Sequence, residues 1–118
     1  MKRIGGNLTV ELQVKKITVN RMGEQVPGWE TVETLKGYLD LSGGDSKYTP
    51  YDAKIQESTH IFICDYKELD SRAKSENTRI FVPKTGKYYD VMLIDNPLER
   101  NYHYEIFLKY TGGQNGTL

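Results

Sequence analysis

The chain holds one cysteine, Cys64, so no disulfide can form within it, and a reducing compartment is expected. Histidine is almost as scarce. His60 and His103 are the only two, and with a single cysteine they build no His/Cys cluster of zinc spacing. The longest apolar runs, IFIC (61–64) and VMLI (91–94), fall far short of the about 20 residues needed to cross a bilayer as a helix. The opening MKRIGGNLTVELQV has two basic residues but no apolar h-region, so no signal peptide is expected. There is no excess of charge: 16 Lys plus Arg balance 16 Asp plus Glu, which leaves no global field drawing the protein to nucleic acid or to a membrane. A phosphate-binding glycine loop, a GxSxG elbow, an internal repeat and an amphipathic helix longer than about three turns are also missing. These absences argue against an enzyme. They leave a soluble, cytoplasmic, single-domain protein as the expectation for residues 1–118.

What is present is β-forming material. Nine tyrosines, three phenylalanines and many β-branched residues are spread over 118 residues, enough chain to bury roughly two-thirds of its unfolded surface. Leu8, Val10, Leu12 and Val14 alternate with Thr9, Glu11, Gln13 and Lys15, the signature of a half-buried strand. The parity slips at Lys15-Lys16 and Ile17 and Val19 carry the apolar face onward, which a bulge or a second strand would explain. RMGEQVPG (21–28) reads as a hairpin loop. Trp29 to Leu41 returns as a strand, with Gly37 where it bends or meets another backbone. A long polar connection, 42–56, leads to a strand from Ser58 to Tyr66. A charged stretch (67–77) with a short helical turn follows, then strands Arg79–Pro83, Lys87–Asp95 and Tyr102–Thr111, joined by turns at 83–86 and 96–101. The tail, 112–118, has nothing to pack against and reads as mobile. Six or seven antiparallel strands at hairpin spacing predict an all-β barrel or sandwich with one long loop after the second strand.

His60 and Cys64 lie four positions apart in ESTHIFICDY (57–66). On a strand they share a face but stand about 13 Å apart, at roughly 3.3 Å per residue. They therefore cannot form a dyad or ligate one metal ion, whose ligands lie within about 2.3 Å. Both faces of this strand are apolar, which predicts a central strand covered on each side with Cys64 buried as a small hydrophobe. His103 and Glu105 share a face and are expected to hydrogen-bond at the surface. Asp90 and Asp95 differ in parity and are predicted to face opposite ways, a poor arrangement for paired acid/base carboxylates. Tyr88, Tyr89, Tyr102 and Tyr104, with Arg100 and Lys109 nearby, could stack bases as on a single-strand nucleic-acid-binding barrel. The simpler reading makes Tyr102, Tyr104, Ile106, Leu108 and Tyr110 one core-facing row.

Two blocks carry a family resemblance. GEQVPGWETVETLKGYLDLSGGD (23–45) is a hairpin loop, then Trp29, then a strand ending in a glycine-rich turn. TRIFVPKTGKYYDVMLIDNPLERNYHYEIFLKY (78–110) holds Gly86, Lys87, Tyr89, Asp90, Val91, Ile94, Asp95, Asn96, Pro97, Arg100 and Asn101 in a set order and spacing. Together they resemble the head–tail joining, or head-closure (head-tail adaptor), proteins of tailed bacteriophages. The likeness spans residues 8–110.

The resemblance implies a structural virion protein of a phage or prophage, with no enzymatic activity and no cofactor. Such a protein would be a small β-barrel assembling as a ring, typically dodecameric, in the head-to-tail connector, after a stay in the host cytoplasm during assembly. Its implied partners are copies of itself, the portal and adaptor rings, a tail completion or tail terminator protein, and genomic DNA in the channel, with no membrane. Some members use the loop after the second strand as a channel plug. Here that position holds Ser42, Gly43, Gly44, Asp45, Lys47, Tyr48, Pro50, Tyr51 and Lys54, a longer loop than the compact turn of many members. Balanced charge suits a channel wall, since a strongly basic lining would hold phosphates too firmly.

Overall fold

The computed structural model describes residues 5–41 and 58–110. These form six strands: β1 (Leu8–Val19), β2 (Gln25–Leu41), β3 (His60–Asp65), β4 (Thr78–Val82), β5 (Lys87–Asp95) and β6 (His103–Lys109). All pairings are antiparallel, in the order β1-β2-β3-β6-β5-β4, and β1 pairs with β4 as well as β2, so the sheet closes into a barrel. The all-β expectation is borne out, with a closed barrel rather than a sandwich and six strands among the described residues. Short 3-10 turns at Ser75–Asn77 and Pro97–Glu99 are the helical elements among the described residues. No helix there is long and apolar enough to cross a membrane.

Strand alternation fills the interior. Val10, Leu12, Leu35, Phe62, Cys64, Ile80, Tyr89, Ile106 and Leu108 all belong to one buried cluster. Closure gives every strand a neighbour on both sides over part of its length, which limits open edges. Gly37 is needed where β2 passes beneath the N-terminal segment. It pairs with Leu8 and Cys64, and a Cβ on it would lie 2.1 Å from the Ile63 carbonyl oxygen.

Two expectations about parity are corrected. The irregularity in the first hairpin falls between Leu12 and Gln13, where Val32 of β2 is the extra residue, and not at Lys15-Lys16. β1 runs unbroken through both lysines. Its pairing with β4 ends at Val14, so the following residues have no interior to face, and Ile17 and Val19 lie on the outward parity. A second bulge at Met92 separates Val91↔Leu108 from Leu93↔Phe107. This extra residue resets the alternation, so Asp90, opposite Lys109, and Asp95, opposite Glu105, both face outward rather than oppositely.

The expected loop at 21–28 shrinks to a tight turn, because β2 begins at Gln25 and carries Pro27 within the ladder opposite Ile17. The Asn20 side chain accepts bonds from the backbone N–H groups of Met22 and Glu24, both at 2.9 Å, and closes the turn. Lys15–Val19 and Gln25–Trp29 thus form a two-stranded arm projecting past the barrel. The molecule measures 50 Å along its longest axis against 29 and 27 Å. Five extended residues, about 17 Å at roughly 3.3 Å each, account for most of that excess.

Candidate interaction surfaces

His60 and Cys64 share the inward parity of β3, as expected, without meeting. Cys64 is 1% exposed, and burial, helped by neighbouring Asp65, pushes its thiol up to about 11. His60 sits edge-on to Tyr89 at 5.1 Å and its Nδ1 meets the Thr59 hydroxyl at 2.8 Å. Burial, then the nearby Lys87 charge, lowers its pKa. His103 Nε2 meets Glu105 Oε2 at 3.1 Å, as expected. Among the described residues no group of three or more His, Cys, Asp or Glu is placed to hold a metal ion. The outward side of β3 is less covered than its apolar sequence predicts: Ile61 and Ile63 are half-buried while Phe62 is fully enclosed.

The tyrosines do not form a stacking platform. Tyr89 and Tyr104 are buried in the barrel core. Tyr104 stacks on Tyr66 at 5.2 Å and donates its hydroxyl to the Lys67 carbonyl at 2.9 Å. Tyr88 lies under a guanidinium: Arg79 stands 4.0 Å over its ring and 4.3 Å over that of Trp29. Arg79 also donates from Nε to Gln13 Oε1 at 2.7 Å. Trp29 is therefore one leaf of an Arg-centred stack joining the arm's base to β4 and β5. Arg79 was not singled out from sequence. The available signal was its outward parity beside Phe81, next to a strand that carries Tyr88 and Tyr89.

The motif residues build turns at the two ends of the barrel. Gly86 adopts φ +73°, and its N–H reaches the Val82 carbonyl at 2.8 Å to close the β4–β5 turn. At the other end, Asn96 and Asn101 clasp the β5–β6 turn. The Asn96 Nδ2 donates to Asn101 Oδ1 at 2.8 Å, and the Asn101 backbone N–H donates to Asn96 Oδ1 at 3.1 Å. Between them Pro97 opens a 3-10 turn. Leu98 (φ 55°), Glu99 (52°) and Asn101 (60°) are left-handed, a conformation costing L residues roughly 1–2 kcal/mol each, least for Asn. Such strain concentrates where surfaces are used. Here it holds Leu98 out to solvent, 77% exposed. Arg100 is exposed on the same turn.

Strand directions place the arm, the 67–77 segment and the β5–β6 turn at one end of the barrel. Ion pairs bind that segment to β2, Lys67 to Glu33 at 2.9 Å and Arg72 to Glu30 at 3.3 Å, while Arg72 also pairs within the segment with Asp70 at 3.0 Å. The Arg72 hydrogen bonds hold the Asp70 carboxyl down at about 2. Asp95 shifts the other way, because partial burial and the adjacent Glu105 raise it. The opposite end carries the β4–β5 turn and the two flanks of 42–57, Leu41 and Ser58. The nine loop residues singled out between Ser42 and Lys54, like the tail 112–118, lie outside the described residues.

No curated protein matches the chain. A family model described as phage head completion protein matches residues 1–110, covering every strand and both motif turns. The chain belongs to the phage head completion protein family and has a structural role in the phage head.

Proposed function

We propose that this protein forms a ring in the head-to-tail connector, closing the DNA-filled head and offering the surface on which the tail docks. One observation carries the reading beyond family membership: the barrel's two ends differ in build. One end presents exposed apolar side chains on projecting elements, Met22 on the arm and Leu98 on a strained turn. The other has no projecting strand pair; it gathers the compact β4–β5 turn and the flanks of the long polar connection, with Leu41 exposed there. A polar subunit of this kind suits a ring that meets one partner above, a portal or adaptor ring, and a different one below, a tail completion or terminator protein. Neither role requires a catalytic group or a cofactor, and DNA would pass through the channel. We place the 42–56 connection at that channel or at a neighbouring ring.

Phage lacking this chain are expected to fill heads that then lose DNA, with free tails accumulating. Complete infectious particles without it would overturn the reading. Purified protein is expected to sediment as a monomer or weak oligomer, because ring contacts form on a template that holds neighbours at high effective concentration. Replacing Asp45 to Ala53 by a short Gly-Ser link is expected to leave Tm nearly unchanged, since closure entropy varies slowly with length. Particles with that link are expected to leak DNA or fail to join tails; full infectivity would place the functional contacts elsewhere. Single-strand nucleic-acid binding is disfavoured by the burial of Tyr89 and Tyr104. Electrophoretic titration against single-stranded DNA checks it, and tight, salt-sensitive binding by the monomer would revive it.

A further inference from the structure

Beyond the Arg79 stack at its base, the arm pairs with no third strand among the described residues. Ile17 (61% exposed) and Val19 (67%) project from one face and Met22 (83%) from the tip, while Val26, opposite Thr18, lies on the other face. Ile17, Val19 and Met22 together expose on the order of 400 Å², the size of patch that marks an interaction site on a monomer. Lys15, Lys16 and Pro27 discourage addition of another strand to its edges, so the contact runs through side chains. The arm is also basic: Lys15, Lys16 and Arg21 stand against Glu24. Lys16 is engaged by Glu30 at 3.4 Å and Lys15 lies over Trp29, which leaves Arg21 facing outward beside Met22 at the tip.

The same end of the barrel holds a groove of opposite character. It has a volume of about 550 Å³ and lies between the 66–76 stretch and the end of β5. Leu69, Leu93, Ile94 and Tyr104 supply apolar lining, and Glu68 and Glu76 supply acid at the rim. Arg72 already neutralises Asp70, and among the described residues Lys74 is the one cation lining the groove, so the described rim is net acidic. Because the arm continues β1 and β2 away from the barrel, its tip does not turn back into its own groove.

We propose that the arm tip of one copy seats in this groove of a second copy, with Met22 on the apolar floor and Arg21 toward Glu68 and Glu76. Methionine suits such a seat, being unbranched and adaptable. The contact joins two different surfaces, so each copy keeps one arm and one groove to offer, and repetition closes a ring or grows a filament. This deepens the ring reading above and rests on it. DNA is a poor occupant for the arm, whose tip offers more apolar surface than charge.

Cysteine cross-linking tests it, on a Cys64→Ala background. Met22→Cys and Glu76→Cys chains, mixed at high concentration and oxidised, are expected to give a dimer that neither gives alone. A chain carrying both is expected to give a ladder of multimers, in solution and in assembled particles. Arg21→Glu is expected to cut ladder yield at least tenfold, and Glu68→Arg combined with it to restore most of it. Dimers from Met22→Cys alone would overturn the proposal in favour of arm–arm pairing. Particles in which Met22→Cys is trapped only on another virion protein would also overturn it, while leaving the connector reading intact. Folded variants that give no ladder in either setting would do the same. A virion containing no copy of this chain would instead overturn the connector reading itself.

Discussion

Removing the Arg79 guanidinium perturbs at least three contacts at once. The residue is 6% exposed, stacked between Trp29 and Tyr88 at 4.3 and 4.0 Å and bonded to Gln13 at 2.7 Å. A desolvated cation–π contact contributes about 1–2 kcal/mol, and a hydrogen bond from a charged donor about 1.5–3 kcal/mol. Burying the charge costs several kcal/mol, which truncation returns. Burial also lowers the Arg79 pKa, against opposing effects of Tyr88 and Asp90. Arg79→Ala is therefore expected to lose about 2–3 kcal/mol net, roughly 8–15 °C in Tm for a domain of this size. Arg79→Lys, which keeps the charge but not the planar fork, is expected to lose about half of that. Trp29, the single tryptophan, reports unfolding by its own fluorescence in urea. A double-mutant cycle with Trp29→Leu, followed by circular dichroism, is expected to show about 1 kcal/mol of coupling. If Arg79→Met is as stable as wild type, or the coupling is zero, the stack is packing alone and the electrostatic account is wrong.

The thiol of Cys64, enclosed and pushed up to about 11, is expected to react with a disulfide reagent at pH 8 only after denaturant is added; prompt stoichiometric labelling of folded protein would show that β3 opens freely. Gly37→Ala forces a methyl group against the Ile63 carbonyl at 2.1 Å. It is expected to cost about 3 kcal/mol or to prevent folding, at the upper end of overpacking effects, and a Tm within about 2 °C of wild type would refute the close approach. Asp95→Asn is expected to stabilise at neutral pH. The folded pKa of Asp95 is raised, so its favourable contribution exists below the ordinary aspartate value, about 3.9, and is lost as pH rises through the folded value. The Tm gap between variant and wild type should close as pH falls below about 4; a gap independent of pH would assign the effect to packing. Ile63→Asp, on the half-buried outer side of β3, is expected to be tolerated far better than Phe62→Asp inside the barrel, as urea unfolding will show.

Much of the barrel is legible in the alternation of residues. Val10, Leu12 and Val14, Phe62 and Cys64, and Tyr104, Ile106 and Leu108 each read as one inward row, and each is buried, because side chains on a strand change face at every residue. The motif from Gly86 to Asn101 is equally local: a left-handed glycine and an asparagine clasp need only neighbouring residues to form. The family likeness, carried by the same stretch, agrees with the match over residues 1–110. What periodicity could not decide is where strands stop having an inside. Ile17 and Val19 look like continued core, but β4 ends its pairing at Val14, and only the closed sheet turns them into an exposed arm. The extra residue at Met92 likewise left no mark in the sequence, since a bulge is defined by the partner strand's register, and it alone brought Asp90 and Asp95 to one face. The stack of Arg79 between Trp29 and Tyr88 joins residues 50 and 9 positions away from it in the chain. Local patterning determined which residues alternate; barrel closure decided which of them are covered and what the uncovered ones are left to touch.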